Sequence, residues 1–154
     1  MNHPGTMTAV IALMLAGARA DAQEAVPKGY RDYLAEANAV VTTLSAATAV
    51  GLVGDSTVAF IDLRERNELD RLGWIPGSVH APRGMLEFYV DPTAGAHMDV
   101  FSSGKRIIFY CAGGARSALA AKLAMEMGVA DVAHVGGGFR AWVQAGGPVE
   151  EPGQ

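Results

Sequence analysis

The segment that most restricts the fold is residues 106–128. Arg106-Ile107-Ile108-Phe109-Tyr110 is a short apolar run, the strongest strand signal in the chain. A glycine-containing loop begins at Cys111. Leu119, Leu123 and Met127 then recur at a spacing of four, which predicts a helix over 117–127 that Gly128 ends. The same handover from strand to helix repeats along the chain. Val58-Ala59-Phe60-Ile61 reads as a buried strand ending at Asp62, and residues 65–72 as a short helix. Val79-His80-Ala81 is a brief strand stopped by Pro82, and residues 85–90 a helical turn. Residues 132–135 form a last strand and 139–144 a terminal helix. Strands that alternate with helices predict an α/β fold around a mostly parallel central sheet flanked by helices.

Upstream, Pro27-Lys28-Gly29 breaks the pattern. Tyr30, Tyr33, Leu34, Ala37 and Val41 follow at spacings of three and four, which predicts an amphipathic helix. Residues 43–51 read as a second helix, with Ser45 as N-cap. Residues 7–18 (MTAVIALMLAGA) are apolar but fall short of the ~18 residues of a spanning helix. They precede Ala18-Arg19-Ala20 and Ala20-Asp21-Ala22, small-x-small patterns of the kind cleaved after a secretory leader. Residues 1–22 therefore read as a signal peptide, with Ala22 the last residue removed. The stretch MNHPGT lacks the usual Lys or Arg, and a plain helix is the alternative. An exported or periplasmic location is favoured over a cytoplasmic one. The expected organisation is a leader at 1–22, a helical extension at 23–42, one domain at 43–149 and a free tail at 150–154.

Half of the 154 residues are hydrophobic and 18% are charged, with a net charge of -4. Such a chain can bury an ordinary core and is not of the disordered class. Its 12 Lys and Arg are scattered, so no nucleic-acid partner is expected. A single cysteine excludes an internal disulfide and any multi-cysteine metal site. The four histidines do not cluster at metal-ligand spacing, and no metal is expected. A reactive Cys111 would need its partner thiol from a substrate or another protein.

The segment Cys111-Ala112-Gly113-Gly114-Ala115-Arg116-Ser117 lies at the carboxyl end of the strongest strand, where open α/β sheets bind ligands. A tight loop with two glycines can turn its amides inward as an anion-binding nest. The helix that follows adds its positive end, and Arg116 adds a permanent cation. All three favour a thiolate at Cys111 and could hold a persulfide anion. A buried, inert cysteine is the competing reading.

This loop resembles the active-site loop of the rhodanese family. Asp62-Leu63-Arg64-Glu65 followed by Ile75-Pro76-Gly77-Ser78-Val79-His80 resembles the amino-terminal signature of that family. Gly137-Gly138-Phe139-Arg140-Ala141-Trp142, followed by Gly146-Gly147-Pro148, resembles its carboxy-terminal signature. Trp74 stands where many relatives carry His. The resemblance implies a rhodanese-like three-layer fold and a sulfurtransferase. Cys111 would accept sulfur as a persulfide, and the backbone of Ala112, Gly113, Gly114, Ala115 and Arg116 would cradle the outer sulfur. Arg116 would steer an anionic donor, with Asp62, Arg64 and Ser117 in support. Donor and acceptor would be a small sulfur-donor anion, thiosulfate by default, and a thiol, cyanide or a protein. Neither metal nor organic cofactor is needed. The alternatives are a persulfide carrier serving a protein partner and, further off, a cysteine-dependent phosphatase or arsenate reductase. Those enzymes separate Cys and Arg by five residues, whereas four separate Cys111 from Arg116.

Several residues invite plainer readings. Asp62 and Arg64 read as braces of the fold, and His80 and His134 as packed or hydrogen-bonded side chains in strands. Arg83 reads as a surface cation, and Glu65-Arg66-Asn67-Glu68 as a solvated helix face. Phe139 and Trp142 are expected to pack the last helix onto the sheet.

Overall fold

The computed structural model describes residues 27–152. The leader expected at 1–22 lies outside them. Five strands form one sheet: β1 (Thr42–Leu44), β2 (Val58–Asp62), β3 (Val79–His80), β4 (Arg106–Tyr110) and β5 (Val132–Val135). Their spatial order is β1-β5-β4-β2-β3, and every pairing between them is parallel. The helices are α1 (Tyr30–Val40), α2 (Ala46–Val50), α3 (Arg66–Leu72), α4 (Leu86–Val90), α5 (Ala115–Glu126) and α6 (Gly138–Gln144).

Parallel strands covered on both faces read as continuous apolar runs, because successive side chains feed opposite cores. In β4, Ile107 and Phe109 join one core with Ile61, Leu63 and the alanines of α5. Ile108 and Tyr110 join the other with Phe60, Phe139 and Trp142. Helices α1, α4 and α5 pack together over the first face, and α2 and α6 over the second. Trp142 is fully buried and meets Phe60 edge-on, ring centroids 5.6 Å apart. Truncating such an aromatic costs about 3–5 kcal/mol. The three-layer α/β expectation holds, and Phe139 and Trp142 pack α6 as foreseen.

Four local expectations are corrected. Thr43 and Leu44 are not helical: with Thr42 they form edge strand β1, paired with Ala133, His134 and Val135. Ser45 does cap α2, accepting a hydrogen bond from the Thr48 amide at 3.1 Å. Helix α5 starts at Ala115 rather than Ser117 and presents Ala118, Ala121 and Ala124, not its leucines, as the fully buried face. Residues 99–102, unassigned in the sequence, form a single 3-10 turn that buries Phe101. The expected free tail is tied at Glu150. Its amide donates to the Trp74 carbonyl at 2.8 Å, and the Trp74 amide donates back at 3.0 Å. Among the described residues, no helix is long and apolar enough to cross a membrane.

Candidate active site

Cys111 is the first residue beyond β4, and Gly114 is the N-cap of α5. Two residues remain to reverse the chain. Gly114 closes the turn with φ of 96°, a left-handed conformation that a side chain would oppose. The Gly114 amide then points at the thiol and donates to Cys111 Sγ at 3.2 Å. As the first turn of a helix, the amides of Ala115, Arg116 and Ser117 have no carbonyl partner within α5. Together with the helix dipole they make this end of α5 attractive to an anion.

The loop is also held from α6. The Phe139 amide donates to the Cys111 carbonyl at 2.7 Å, and the Arg140 amide to the Ala112 carbonyl at 3.2 Å. Such close approach requires glycine at 138. A Cβ there would fall 2.3 Å from the Cys111 oxygen and 2.8 Å from the Gly114 nitrogen. The loop and the Gly137-Gly138 turn therefore fit together as one unit. Cys111 itself is 1% exposed, whereas Gly113 and Ala115 are exposed. The sulfur lies beneath a thin backbone lip, part of the core on one side and bonded to the loop amide on the other.

Arg116, expected to steer an anionic donor, carries its charge in a pair. Its guanidinium is bidentate to the Glu68 carboxylate, with both bonds at 2.8 Å. That pairing holds the Glu68 carboxyl down at about 2, well below the ordinary carboxylate range. Glu68 also accepts from the Glu65 amide at 2.9 Å, capping α3. The Glu65-x-x-Glu68 spacing is a readable cap signal. The bridge to Arg116 spans 48 residues, and nothing local announces it. Glu68 is thus not part of a solvated face, and the loop's cation is largely neutralised.

Asp62 and Arg64 lie one strand away, both fully buried. Arg64 Nε and Nη2 donate to the Asp62 carboxylate at 2.9 and 2.6 Å, and Nη2 also donates to the Gly73 carbonyl at 2.8 Å. The guanidinium carbon sits 4.0 Å from the centre of the Phe139 ring. Arg64 therefore holds the residue whose amide holds the Cys111 carbonyl. His80 Nε2 donates to the Arg64 carbonyl at 2.8 Å, a packed strand histidine as read from the sequence. Arg83 is paired with Glu87 at the surface.

Ser117, one turn into α5, is buried beside the sulfur. Its Oγ lies 3.6 Å from Sγ and 3.3 Å from His134 Nδ1, and it donates to the Gly114 carbonyl at 2.9 Å. His134 completes the line through Nε2, 2.8 Å from Thr43 Oγ1. The sequence reading places His134 as a hydrogen-bonded strand residue and does not join it to the cysteine. The one signal was a polar side chain inside the apolar run Val132-Ala133-His134-Val135. A cavity of about 380 Å³ opens beside these groups, lined by Thr43, His134, Gly113 and Gly114 among others. Among the described residues, no three His, Cys, Asp or Glu side chains are grouped to hold a metal ion.

A family model for the rhodanese-like domain matches residues 45–145. The chain is 30% identical over 95 residues to a rhodanese domain-containing protein of Drosophila melanogaster, covering 58% of this chain and 86% of that one. It is 26% identical over 108 residues to the thiosulfate:glutathione sulfurtransferase of Homo sapiens, covering 66% and 93%. Among solved structures it is similar to a Rhodopseudomonas palustris protein of unknown function, described as a possible tyrosine phosphatase. The two share 48% identity with a TM-score of 0.79, over 81% of this chain and 96% of the other.

Proposed function

The chain belongs to the rhodanese-like domain family, a sulfurtransferase family, and on that premise we propose that it moves sulfane sulfur from a small anionic donor to a thiophilic acceptor through a persulfide on Cys111. One observation carries the reading most: the lone cysteine sits at the carboxyl end of a central parallel strand, with the Gly114 amide directed at its sulfur from the start of α5. Thiosulfate is the proposed donor, in line with the activity named for the human relative, and a small thiol or cyanide the acceptor.

The proposed transfer runs in two half-reactions. The Cys111 thiolate attacks the outer sulfur of thiosulfate. An Sγ–S bond forms, the S–S bond of the donor breaks, and sulfite leaves with its electron pair. The outer sulfur of the persulfide then carries the negative charge, and the free amides of the first turn of α5 and the loop are the donors within its reach. An acceptor thiolate or cyanide attacks that sulfur, the Sγ–S bond breaks, and the Cys111 thiolate returns. Two half-reactions with a covalent intermediate give ping-pong kinetics. Asp62 and Arg64 take no part in bond making; they hold Phe139 and so the loop.

A phosphatase reading is favoured by the description of the Rhodopseudomonas palustris protein. Two features weigh against it here. Four residues, not five, separate Cys111 from Arg116, so the cradle is small. Arg116 is closed on Glu68, and the nearby Asp62 on Arg64, so the loop arginine and this aspartate are already paired. Steady-state assays decide between them. Thiocyanate should form from thiosulfate and cyanide in repeated turnovers, with an aryl phosphate left intact. A single turnover with cyanide would point to a carrier, and aryl phosphate hydrolysis to the phosphatase.

A further inference from the structure

We propose that His134 takes the Cys111 proton through the hydroxyl of Ser117, and that the imidazolium so formed adds a positive charge beside the reactive sulfur. The inference rests on Cys111 being the reactive thiol. A thiol that is 1% exposed has little contact with water to take its proton. The Gly114 amide is a donor and cannot receive it. Among the described residues, Ser117 Oγ is the hydrogen-bonding partner of Sγ able to accept, at 3.6 Å, and beyond it stands His134 Nδ1 at 3.3 Å. The far nitrogen, Nε2, is 2.8 Å from the hydroxyl of Thr43, an exposed residue on the wall of the 380 Å³ cavity. The line thus runs from the buried sulfur to an opening.

In the resting arrangement the Ser117 hydroxyl donates to the Gly114 carbonyl at 2.9 Å. Rotation about its Cβ–Oγ bond aims that proton at Nδ1. The S–H bond breaks as Oγ gains its proton, and the original hydroxyl proton passes to the lone pair of Nδ1. Both electrons of the S–H bond stay on sulfur. A neutral thiol and imidazole become a thiolate and an imidazolium whose Nε2–H donates to Thr43 Oγ1. Burial lowers the His134 pKa, so the ring is neutral and able to accept near pH 7.

Among the described residues, the ring's hydrogen-bond partners, Thr43 and Ser117, are uncharged. Leu34 and Asn38 face the cavity from α1, Thr43 stands in register on β1, and Phe109 in register on β4. On α5 the neighbour is Ser117, and Arg116 is closed on Glu68 of α3. Arg116, paired with Glu68, also interacts with Cys111, and the imidazolium adds a second positive charge to balance the thiolate.

The test is the rate of Cys111 alkylation by iodoacetamide, read by intact mass from about pH 5 to about pH 10. Wild type should react in two steps, the first below the ordinary imidazole value of about 6.5, as expected of a coupled pair. His134→Asn and Ser117→Ala should both lose the first step. Their rates near neutrality should fall about tenfold and rejoin wild type at the highest pH, the signature of a lost general base. Thr43→Val, at an exposed strand position, should keep the step but displace it. A folded His134→Asn or Ser117→Ala protein with the wild-type profile overturns the proposal. So does a rate lowered equally at every pH, which is the mark of a structural role. If His134→Asn fails to fold, Ser117→Ala carries the same decision. Iodoacetamide requires no sulfur donor, so the relay can hold even where thiosulfate leaves no sulfur on Cys111, and the reverse.

Discussion

Strands β2 and β4 lie side by side in register, Asp62 opposite Tyr110, and end in opposite ways. Beyond β2 the chain buries a carboxylate and a guanidinium completely and closes them on each other. Beyond β4 it buries the cysteine sulfur under a backbone lip and gives it one amide and one hydroxyl. The first end uses up most of its hydrogen-bonding capacity on itself; the second keeps capacity for something else. The two are mechanically joined, since Arg64 stacks on Phe139 and the Phe139 amide holds the Cys111 carbonyl. On the proposed function, one strand end acts as support and its neighbour carries the chemistry. A change at the first should therefore cost stability, and a change at the second should cost turnover.

The largest expected effect is at Cys111. Cys111→Ser should lower sulfur transfer at least ~10³-fold, as removal of a covalent nucleophile does, while the urea midpoint moves by little. A large loss of stability in that variant would break the division between the two ends. Next is Arg64→Met, which leaves the buried Asp62 carboxylate unpaired and should cost about 3–5 kcal/mol in urea unfolding. The double change Asp62→Leu with Arg64→Met should regain much of that loss, because no charge is then left buried.

Glu68→Gln comes third and sharpens the comparison at the loop itself. Arg116 is partly exposed, so the pair contributes only about 1 kcal/mol. Freeing the guanidinium should lower the KM for thiosulfate a few-fold, with kcat nearly unchanged. The acid side of the stability curve follows in sign. The Glu68 carboxyl is lowered to about 2, so its contribution is complete above its ordinary value of 4.5 and is lost as pH falls through about 2. The smallest effect is from His134. Its folded pKa is depressed by burial, so the unfolded chain binds the proton more readily. Stability is full above about pH 6.5 and declines as pH falls below it. His134→Asn should flatten that slope in pH-dependent thermal unfolding.

Much of this was legible beforehand for a physical reason. The apolar runs of β2 and β4, the break at Gly128 and the Cys111–Ser117 loop are local patterns, and local patterns survive in a linear reading. What was missed depends on partners distant in sequence. Thr42-Thr43-Leu44 is too short and too polar to announce a strand; pairing with β5 makes it one. The start of α5 is set by Gly114 adopting φ of 96° against the Gly137-Gly138 turn, so Ala115 and Arg116 become helical rather than loop. The Glu68–Arg116 bridge and the Ser117–His134 contact join residues 48 and 17 positions apart. They exist only once α3, α5 and β5 are assembled. Glu150 shows the same dependence, since a polar end becomes ordered through Trp74.

The most direct measurement is the intact mass of the protein after incubation with thiosulfate, for wild type and Cys111→Ser. Sulfur transfer through Cys111 predicts a gain of one sulfur atom on the wild type alone, removed again by cyanide. An unchanged wild-type mass, with thiosulfate and with other sulfane donors, or the same gain on Cys111→Ser, would contradict it.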